Sequence, residues 1–421
     1  MTERLYYNNS FLYDFVAALM ERRKLPDGRT ALILDRTVFY PTSGGQVFDT
    51  GWLELEPLEG TAAAKLPKLR VAEVIDEETT GDILHVVETV GGESFPEGPA
   101  RVRGFVDVDR RRDHMQQHSA QHVLSAAFVE LFQMPTVSFH MGDESCTIDL
   151  DAKSLTAEQV RQAEMRANQV VWDDRAVTMH YVTADEAKEM GVRKIPPVER
   201  EKLRLVDIKD FDLCACGGTH VRSTGQIGAV LVRKIEKVKQ GFRVEFVAGA
   251  RAVRTARKDY ETLAEAGTLF STHLWEVPSQ IRKNQDDAKS AAKQQHKLHE
   301  EIAELLATKM LGDTPESNGE KLISAVLADR ELAFAKLLAQ KLTASAKNCV
   351  ALLGAAAGQP GLVFAQSPGM KHDMGALMNE AMASLGARGG GNRDMAQGGA
   401  PDAGALQGAI DKAASGIRSA T

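Results

Sequence analysis

The chain has 421 residues, 43% hydrophobic and 26% charged, with a formal net charge of −7; this composition points to a globular protein of about two to four domains and excludes disorder. Four cysteines at this length exclude a small disulfide-stapled scaffold. No apolar run reaches the ~18 residues of a membrane span and the first residues lack a signal-peptide core, so a cytoplasmic protein with no membrane partner is expected.

Residues 1–100 read as β-rich. Ala31–Leu34, Thr37–Tyr40, Val71–Ile75 and Ile83–Val90 are apolar or β-branched runs separated by Gly, Pro and Asp. Strands at this spacing predict a small β-barrel domain over 1–95, with helices absent or marginal. Gly91–Pro99 reads as a linker. Inside the barrel segment, Thr37-Val-Phe-Tyr-Pro-Thr-Ser-Gly-Gly-Gln46 runs from a strand into a Pro-containing turn. Gly44 and Gly45 would let a substrate lie against the backbone. Thr37 and Gln46 offer side-chain donors and acceptors beside that turn. Taken singly, Thr37 is a strand former and Gln46 a turn residue.

Residues 101–250 predict an α+β domain. Val102–Val108 is strand-like. Asp113 is placed to N-cap a helix over roughly 114–132, ended by Pro135. Thr156 and Gln159 form a capping box that opens a second helix to about Val171. Asp185–Met190 is a short third helix closed by Gly191. Strands are expected at Leu203–Ile208, Ala229–Ile235 and Gly241–Val247.

Residues 251–312 read as helical. Ile281, Ala288, Gln295 and Ile302 recur every seven residues, and Ala291, Leu298 and Leu305 follow the same period. A break at Trp275–Pro278 makes a helical hairpin or a dimerising coil. Residues 313–421 predict a C-terminal α/β domain. Helix-like Lys321–Leu327 and Glu331–Ala344 precede strands at Cys349–Leu353 and Leu362–Ala365. The glycine-rich run 386–399 then calls for positive-φ turns, or for close approach of a backbone or phosphate.

Charge is unevenly distributed. Gly51–Ala100 holds eleven acidic and three basic side chains; Arg233–Lys258 holds nine basic and two acidic. The second segment is a candidate phosphate-binding stripe or an ordinary solvated surface.

The chemistry concentrates at histidine and cysteine. His118 and His122 stand four apart in a predicted helix, so both imidazoles project from one face. Ser119 occupies the place of the glutamate in the zinc-protease motif, which excludes that reading. Cys216 and His220 are again four apart, across Gly217 and Gly218. Three imidazoles and one thiolate complete a tetrahedral zinc set, structural or catalytic. His114 competes with His118 as a ligand, and Cys214 with Cys216.

Three segments together resemble the editing domain of alanyl-tRNA synthetase and the free-standing AlaX proteins. They are Phe39–Gln46, the stretch from Arg112 through His118-Ser-Ala-Gln-His122, and Cys216-Gly-Gly-Thr-His220. Gly389–Gly391 and Met395–Gly399 are similar to the DHH-associated C-terminal domain of the same synthetases. The resemblance covers nearly the whole chain and implies a long-form AlaX protein, without an aminoacylation domain. It implies one Zn2+ per chain held by His118, His122, Cys216 and His220. It implies catalytic or hydroxyl-reading roles for Thr37 and Gln46, and substrate contact at Gly44, Gly45, Gly217 and Gly218.

The implied function is hydrolysis of the aminoacyl ester of mischarged tRNA(Ala), bearing serine or glycine. A pocket built for alanine rejects an added hydroxyl only ~100-fold, so a second, hydrolytic site is needed. A non-catalytic, zinc-stabilised RNA-binding module is the alternative. The helical or C-terminal domain offers a homodimer surface.

Overall fold

The structure is a computed structural model; it describes residues 1–56, 68–89, 100–193 and 202–419. The linker expected at Gly91–Pro99 and the end of the run at Val90 lie outside the described residues. The chain divides into two compact units, Met1–Glu265 and Ala266–Thr421.

The first unit opens with β1 (Glu3–Arg4), β2 (Asp14–Lys24), β3 (Thr30–Leu34), β4 (Arg36–Thr37), β5 (Gly51–Glu56), β6 (Lys68–Glu77), β7 (Asp82–Thr89) and β8 (Arg101–Val106). Six of them close into a barrel in the order β2-β3-β7-β6-β5-β8. Alternation drives closure: along β5 every second residue is buried, which turns Leu53 and Leu55 inward. Phe15, Leu32, Leu69, Val71 and Val102 fill the same interior, each such side chain stabilising by ~1.5–3 kcal/mol when fully buried. The run expected as a strand to Tyr40 stops at Thr37. There the chain leaves the sheet, because Thr37 Oγ1 accepts from Phe39 N (3.0 Å) and Asp49 accepts from Tyr40 N (2.7 Å).

The α+β part follows: α1 (Val108–Phe132), β9 (Thr136–Met141), β10 (Cys146–Leu150), α2 (Ala157–Trp172), β11 (Val177–Val182), α3 (Ala184–Glu189), β12 (Leu203–Ile208), β13 (Asp212–Ala215), β14 (Val230–Val238), β15 (Gly241–Ala248) and α4 (Gly249–Leu269). A four-stranded antiparallel sheet runs β14-β15-β10-β9, and a three-stranded one runs β11-β12-β13. The expected capping box at Thr156–Gln159 is present, and a second, Thr183–Glu186, opens α3. The first helix differs from expectation at its start. Its N-cap is Asp107, not Asp113. Asp113 lies inside the helix, where its carboxylate takes Arg251 Nε at 2.9 Å. Gln133 in the left-handed region (φ 54°) ends the helix before Pro135.

Helix α1 is central rather than amphipathic. From Gln117 to Phe128 it is buried on every side, with Val123, Leu124 and Phe128 packed beside Ile148, Val170 and Phe246. It is tied to the barrel by Arg111, a guanidinium with no exposure, which pairs with the equally buried Asp49. Arg111 also donates to Ser10 O (2.8 Å) and to Val38 O.

The second unit contains α5 (Val277–Asp313), β16 (Lys321–Leu327), α6 (Leu332–Ser345), β17 (Cys349–Ala355), β18 (Gly361–Gln366), α7 (Met374–Ser384), β19 (Gly389–Gly391), β20 (Met395–Gly399) and α8 (Leu406–Ser419). Its sheet runs β16-β17-β18-β20-β19. Lys321–Leu327, expected as helix-like, is a strand paired parallel with β17. A short apolar run fits either period, and the neighbouring strand decides it. Strand β17 is buried on both faces. Cys349, Ala351 and Leu353 meet α6, and Val350 and Leu352 meet α7 and α8. Along α5, Ala303 and Ala307 are buried in the core and Ile302 of the expected seam packs against it with Leu306 and Met310, while Ile281, Leu298 and Leu305 of that seam are exposed.

The glycine-rich run is not a phosphate loop in shape. Gly389–Gly391 form a strand on β20 and have no positive φ; Gly386 has one, at 64°. The glycines admit close packing. A Cβ at Gly391 would overlap Ala396, and one at Gly389 would sit 2.8 Å from Met382.

Candidate metal centre and cleft

Four donors converge in the first unit. The ligand atoms of His118, His122, Cys216 and His220 all lie within 4.8 Å of one another and could hold a metal ion. Helix α1 supplies the first two; the loop after β13 supplies the others. His118 and His122 stack one turn apart, ring centroids at 5.4 Å.

Each imidazole is braced through Nδ1. His118 Nδ1 donates to Gln46 Oε1 at 2.8 Å, because a carboxamide oxygen can only accept. His122 Nδ1 faces Asp212 Oδ2 at 3.4 Å, and His220 Nδ1 faces Ser119 Oγ at 3.2 Å. That arrangement leaves the Nε2 lone pairs for a metal. His118 Nε2 and His220 Nε2 each lie 3.3 Å from Cys216 Sγ. His122 Nε2 is buried with no partner, as expected of a donor reserved for an ion.

The electrostatics at Cys216 agree with a ligand role. Burial opposes charge on Cys216, yet His118, His220 and His122 outweigh it and hold the thiol well below its ordinary pKa. A thiolate is the ligand form. Burial likewise opposes the Asp212 carboxylate, and His122 and Arg193 hold it low. Arg193 grips Asp212 with two N–H groups, at 2.7 and 3.1 Å. Burial pushes His220 down to about 3, whereas at His122 burial is outweighed by Cys216 and Asp212, which hold that ring well above its ordinary pKa.

Beside the donors lies a cleft of about 410 Å³. Its walls are His118, Gln121 and His122 of α1, Thr136–Phe139 of β9, and Cys214–Cys216, with Gly44 and Arg193 completing the lining. No carboxylate lines it among the described residues.

The residues singled out from sequence fall into two groups. Gly44 lines the cleft. Gln46, Gly45, Gly217, Gly218 and Thr37 do not. Gln46 is fully buried behind His118, with Nε2 donating to Thr219 Oγ1 at 2.9 Å and Oε1 accepting from Thr219 N at 3.1 Å. Gly44 (φ 57°) and Gly45 (φ 82°) form the middle of a tight turn closed by two Ser43–Gln46 backbone bonds of 3.0 Å, which requires positive φ at both positions. A Cβ on Gly218 would overlap the His118 ring. Thr37 is buried on the barrel side, its Oγ1 2.7 Å from His85 Nε2.

His114 is buried too, outside the cleft lining, with Nδ1 unpartnered and 3.9 Å from Asp49 Oδ1. Burial lowers its pKa to about 3. Sequence spacing missed Gln121, Arg193, Asp212 and Ser119. The signal available was position: Gln121 and Ser119 sit on the same turns of α1 as the ligands. The basic segment Arg233–Lys258 is partly neutralised, since Arg233 pairs with Asp259, Lys234 with Glu236, Arg243 with Asp149 and Arg251 with Asp113.

A family model described as "Threonyl and Alanyl tRNA synthetase second additional domain" matches residues 203–244, which carry Cys216 and His220. An alanyl-tRNA editing protein, AlaX-L, from Pyrococcus horikoshii is 28% identical over 94% of both chains. This chain is similar to that editing protein along nearly its full length. It is also 30% identical to the alanine–tRNA ligase of Archaeoglobus fulgidus, over 94% of this chain and 42% of the ligase; it therefore spans less than half of that ligase. The C-Ala domain of Aquifex aeolicus alanyl-tRNA synthetase matches 23% of this chain at 24% identity, with a TM-score of 0.21. Among the described residues no helix is long and apolar enough to cross a membrane.

Proposed function

We propose that the chain is an aminoacyl-tRNA deacylase that removes serine, and glycine, from mischarged tRNA(Ala) in trans. The observation that carries this reading is the three-histidine, one-cysteine cluster beside an open cleft, in a chain matching an alanyl-tRNA editing protein along 94% of its length. The reaction adds water to the ester carbonyl. The ribose hydroxyl leaves, and the products are the free amino acid and uncharged tRNA.

The donor set suits one Zn2+ per chain, since zinc favours thiolate and imidazole in a tetrahedron. Bound zinc would supply Lewis-acid polarisation to groups in the cleft. The protein side of the reaction is positioning, because the ester is already activated. Gly44 presents its backbone to the substrate. Gln46 acts as a positioning residue through His118. Gly45, Gly217 and Gly218 shape the backbone against the ligands. Thr37 serves selectivity through the corner it locks, where its hydroxyl holds the start of the Phe39–Gln46 segment.

The layout that accompanies this reading is a barrel over 1–95 completed by β8 at Arg101–Val106, an editing domain over 101–250, a helical hairpin or coiled coil over 251–312 and a DHH-associated-like domain over 313–421. The last two would serve tRNA binding or homodimer formation, in the cytoplasm.

Incubation with Ser-tRNA(Ala), Gly-tRNA(Ala) and Ala-tRNA(Ala) tests the reading. Release of serine and glycine with alanine spared is the expected result. Binding of all three without release would establish the non-catalytic RNA-binding alternative.

A further inference from the structure

An aminoacyl ester carries an α-ammonium group, and the proposed function leaves that group without a partner. Among the described residues the cleft lining has no carboxylate, and its one guanidinium, Arg193, is already paired with Asp212. Gln121 offers a neutral acceptor there, with one end of its amide engaged by a neighbour. It sits between the two ligands of α1, lines the cleft and is 8% exposed. Its Nε2 donates to Ser125 Oγ at 2.9 Å. Ser125 is fully buried, and Thr136 Oγ1 lies 2.7 Å from the same oxygen. With Nε2 held there, Oε1 is the end of the amide left for the cleft, and it has no partner among the described residues.

We propose that Gln121 is a substrate-binding residue whose Oε1 accepts a hydrogen bond from the α-ammonium of the aminoacyl group, with Ser125 and Thr136 as positioning residues that fix the amide. This deepens the deacylase reading and rests on it. A carboxamide oxygen in a low-dielectric cleft gains most from a charged donor. The ammonium is common to serine, glycine and alanine esters. Gln121 therefore supplies affinity for any free aminoacyl group, and selectivity among them lies elsewhere.

The experiment uses the full chain and adenosine carrying a 3′-seryl group through an amide, which is not an ester and need not be turned over. Binding is measured for this probe and its N-acetyl form by calorimetry. The wild type should bind the free amine roughly tenfold or more tightly than the N-acetyl form. Gln121→Met should abolish that preference, Gln121→Glu should retain it, and Ser125→Ala should weaken it, all at unchanged metal content. In parallel, Gln121→Met should lower kcat/KM equally for the serine and glycine esters. An unchanged preference in Gln121→Met overturns the proposal. So does a loss confined to serine, which would assign Gln121 to the hydroxyl. If Gln121→Met loses metal, Ser125→Ala decides, with the same outcomes. A wild type that shows the amine preference but hydrolyses no ester would sink the deacylase reading and leave the Gln121 contact standing.

Discussion

Gln46 braces His118: its carboxamide oxygen stands 2.8 Å from His118 Nδ1 and also accepts from Thr219 N. One side chain thereby joins the glycine turn that follows β4, the first ligand on α1 and the loop carrying Cys216 and His220. Gln46→Leu keeps the bulk and removes all three bonds. Loss of such a brace typically costs ~10–100-fold in metal affinity. A competition titration with a chelator reads it, and an affinity equal to wild type would show that His118 needs no support.

Cys216→Ala should lose the metal. Its thiolate is the one sulfur donor within the four-residue cluster, and Cys214 is not a member of it. Elemental analysis of the purified variant checks this. One zinc per chain retained with Cys214 intact would reassign the ligand.

Gly218→Ala should be far more damaging than a glycine-to-alanine change in an ordinary loop. The new methyl would occupy the space of the His118 ring, so either the ligand or the loop must move. We expect reduced metal content and loss of deacylation, with the barrel intact by circular dichroism. Wild-type metal content would show that the loop yields.

Asp49→Ala leaves the Arg111 guanidinium buried without its counter-charge, since neither side chain has any exposure. Breaking a buried pair from one side costs ~3–5 kcal/mol. Urea unfolding should show that loss, or the variant should fail to accumulate as folded protein. A shift no larger than that of a surface alanine would mean that water reaches Arg111.

Acid should destabilise the first unit through His85. Burial lowers its pKa to about 4, against ~6.5 in the unfolded chain. Between those values the unfolded chain binds the proton and the folded chain does not. Stability is therefore full above the unfolded value and falls as pH drops toward the folded one. At pH 5 the loss is ~1–2 kcal/mol. Nδ1 faces the Leu32 carbonyl at 3.0 Å and so carries the proton of the neutral ring, which makes Nε2 the acceptor for the Thr37 hydroxyl. A Tm series from pH 7 to pH 5 should decline, and His85→Phe should flatten it. Parallel slopes in the two proteins would remove His85 from the account.

Local chemistry was legible in the sequence wherever spacing alone carries it. The i, i+4 histidines, the Cys-x-x-x-His loop and the capping box at Thr156 depend on neighbours within one or two turns. What was not legible depends on distant partners. Asp113 has the chemistry of an N-cap, but Arg251, remote in sequence, claims its carboxylate. Lys321–Leu327 suits a helix until β17 offers a parallel partner. Gln46 and Thr37 stand near the turn in sequence, yet their polar atoms are taken up by His118, Thr219 and His85. Asp212 and Arg193 could be found only once β13 was folded against α1.

The edge strand β19 consists of three glycines, and the closeness of Met382 and Ala396 admits nothing larger at Gly389 and Gly391. An open sheet edge is ordinarily a template on which another chain can lengthen the sheet. Here the template is short, carries no side chains to interlock with an incoming strand, and demands the largest backbone entropy loss of any residue. The same steric restriction that makes this run glycine-rich therefore gives the C-terminal sheet a margin that resists self-association into extended aggregates.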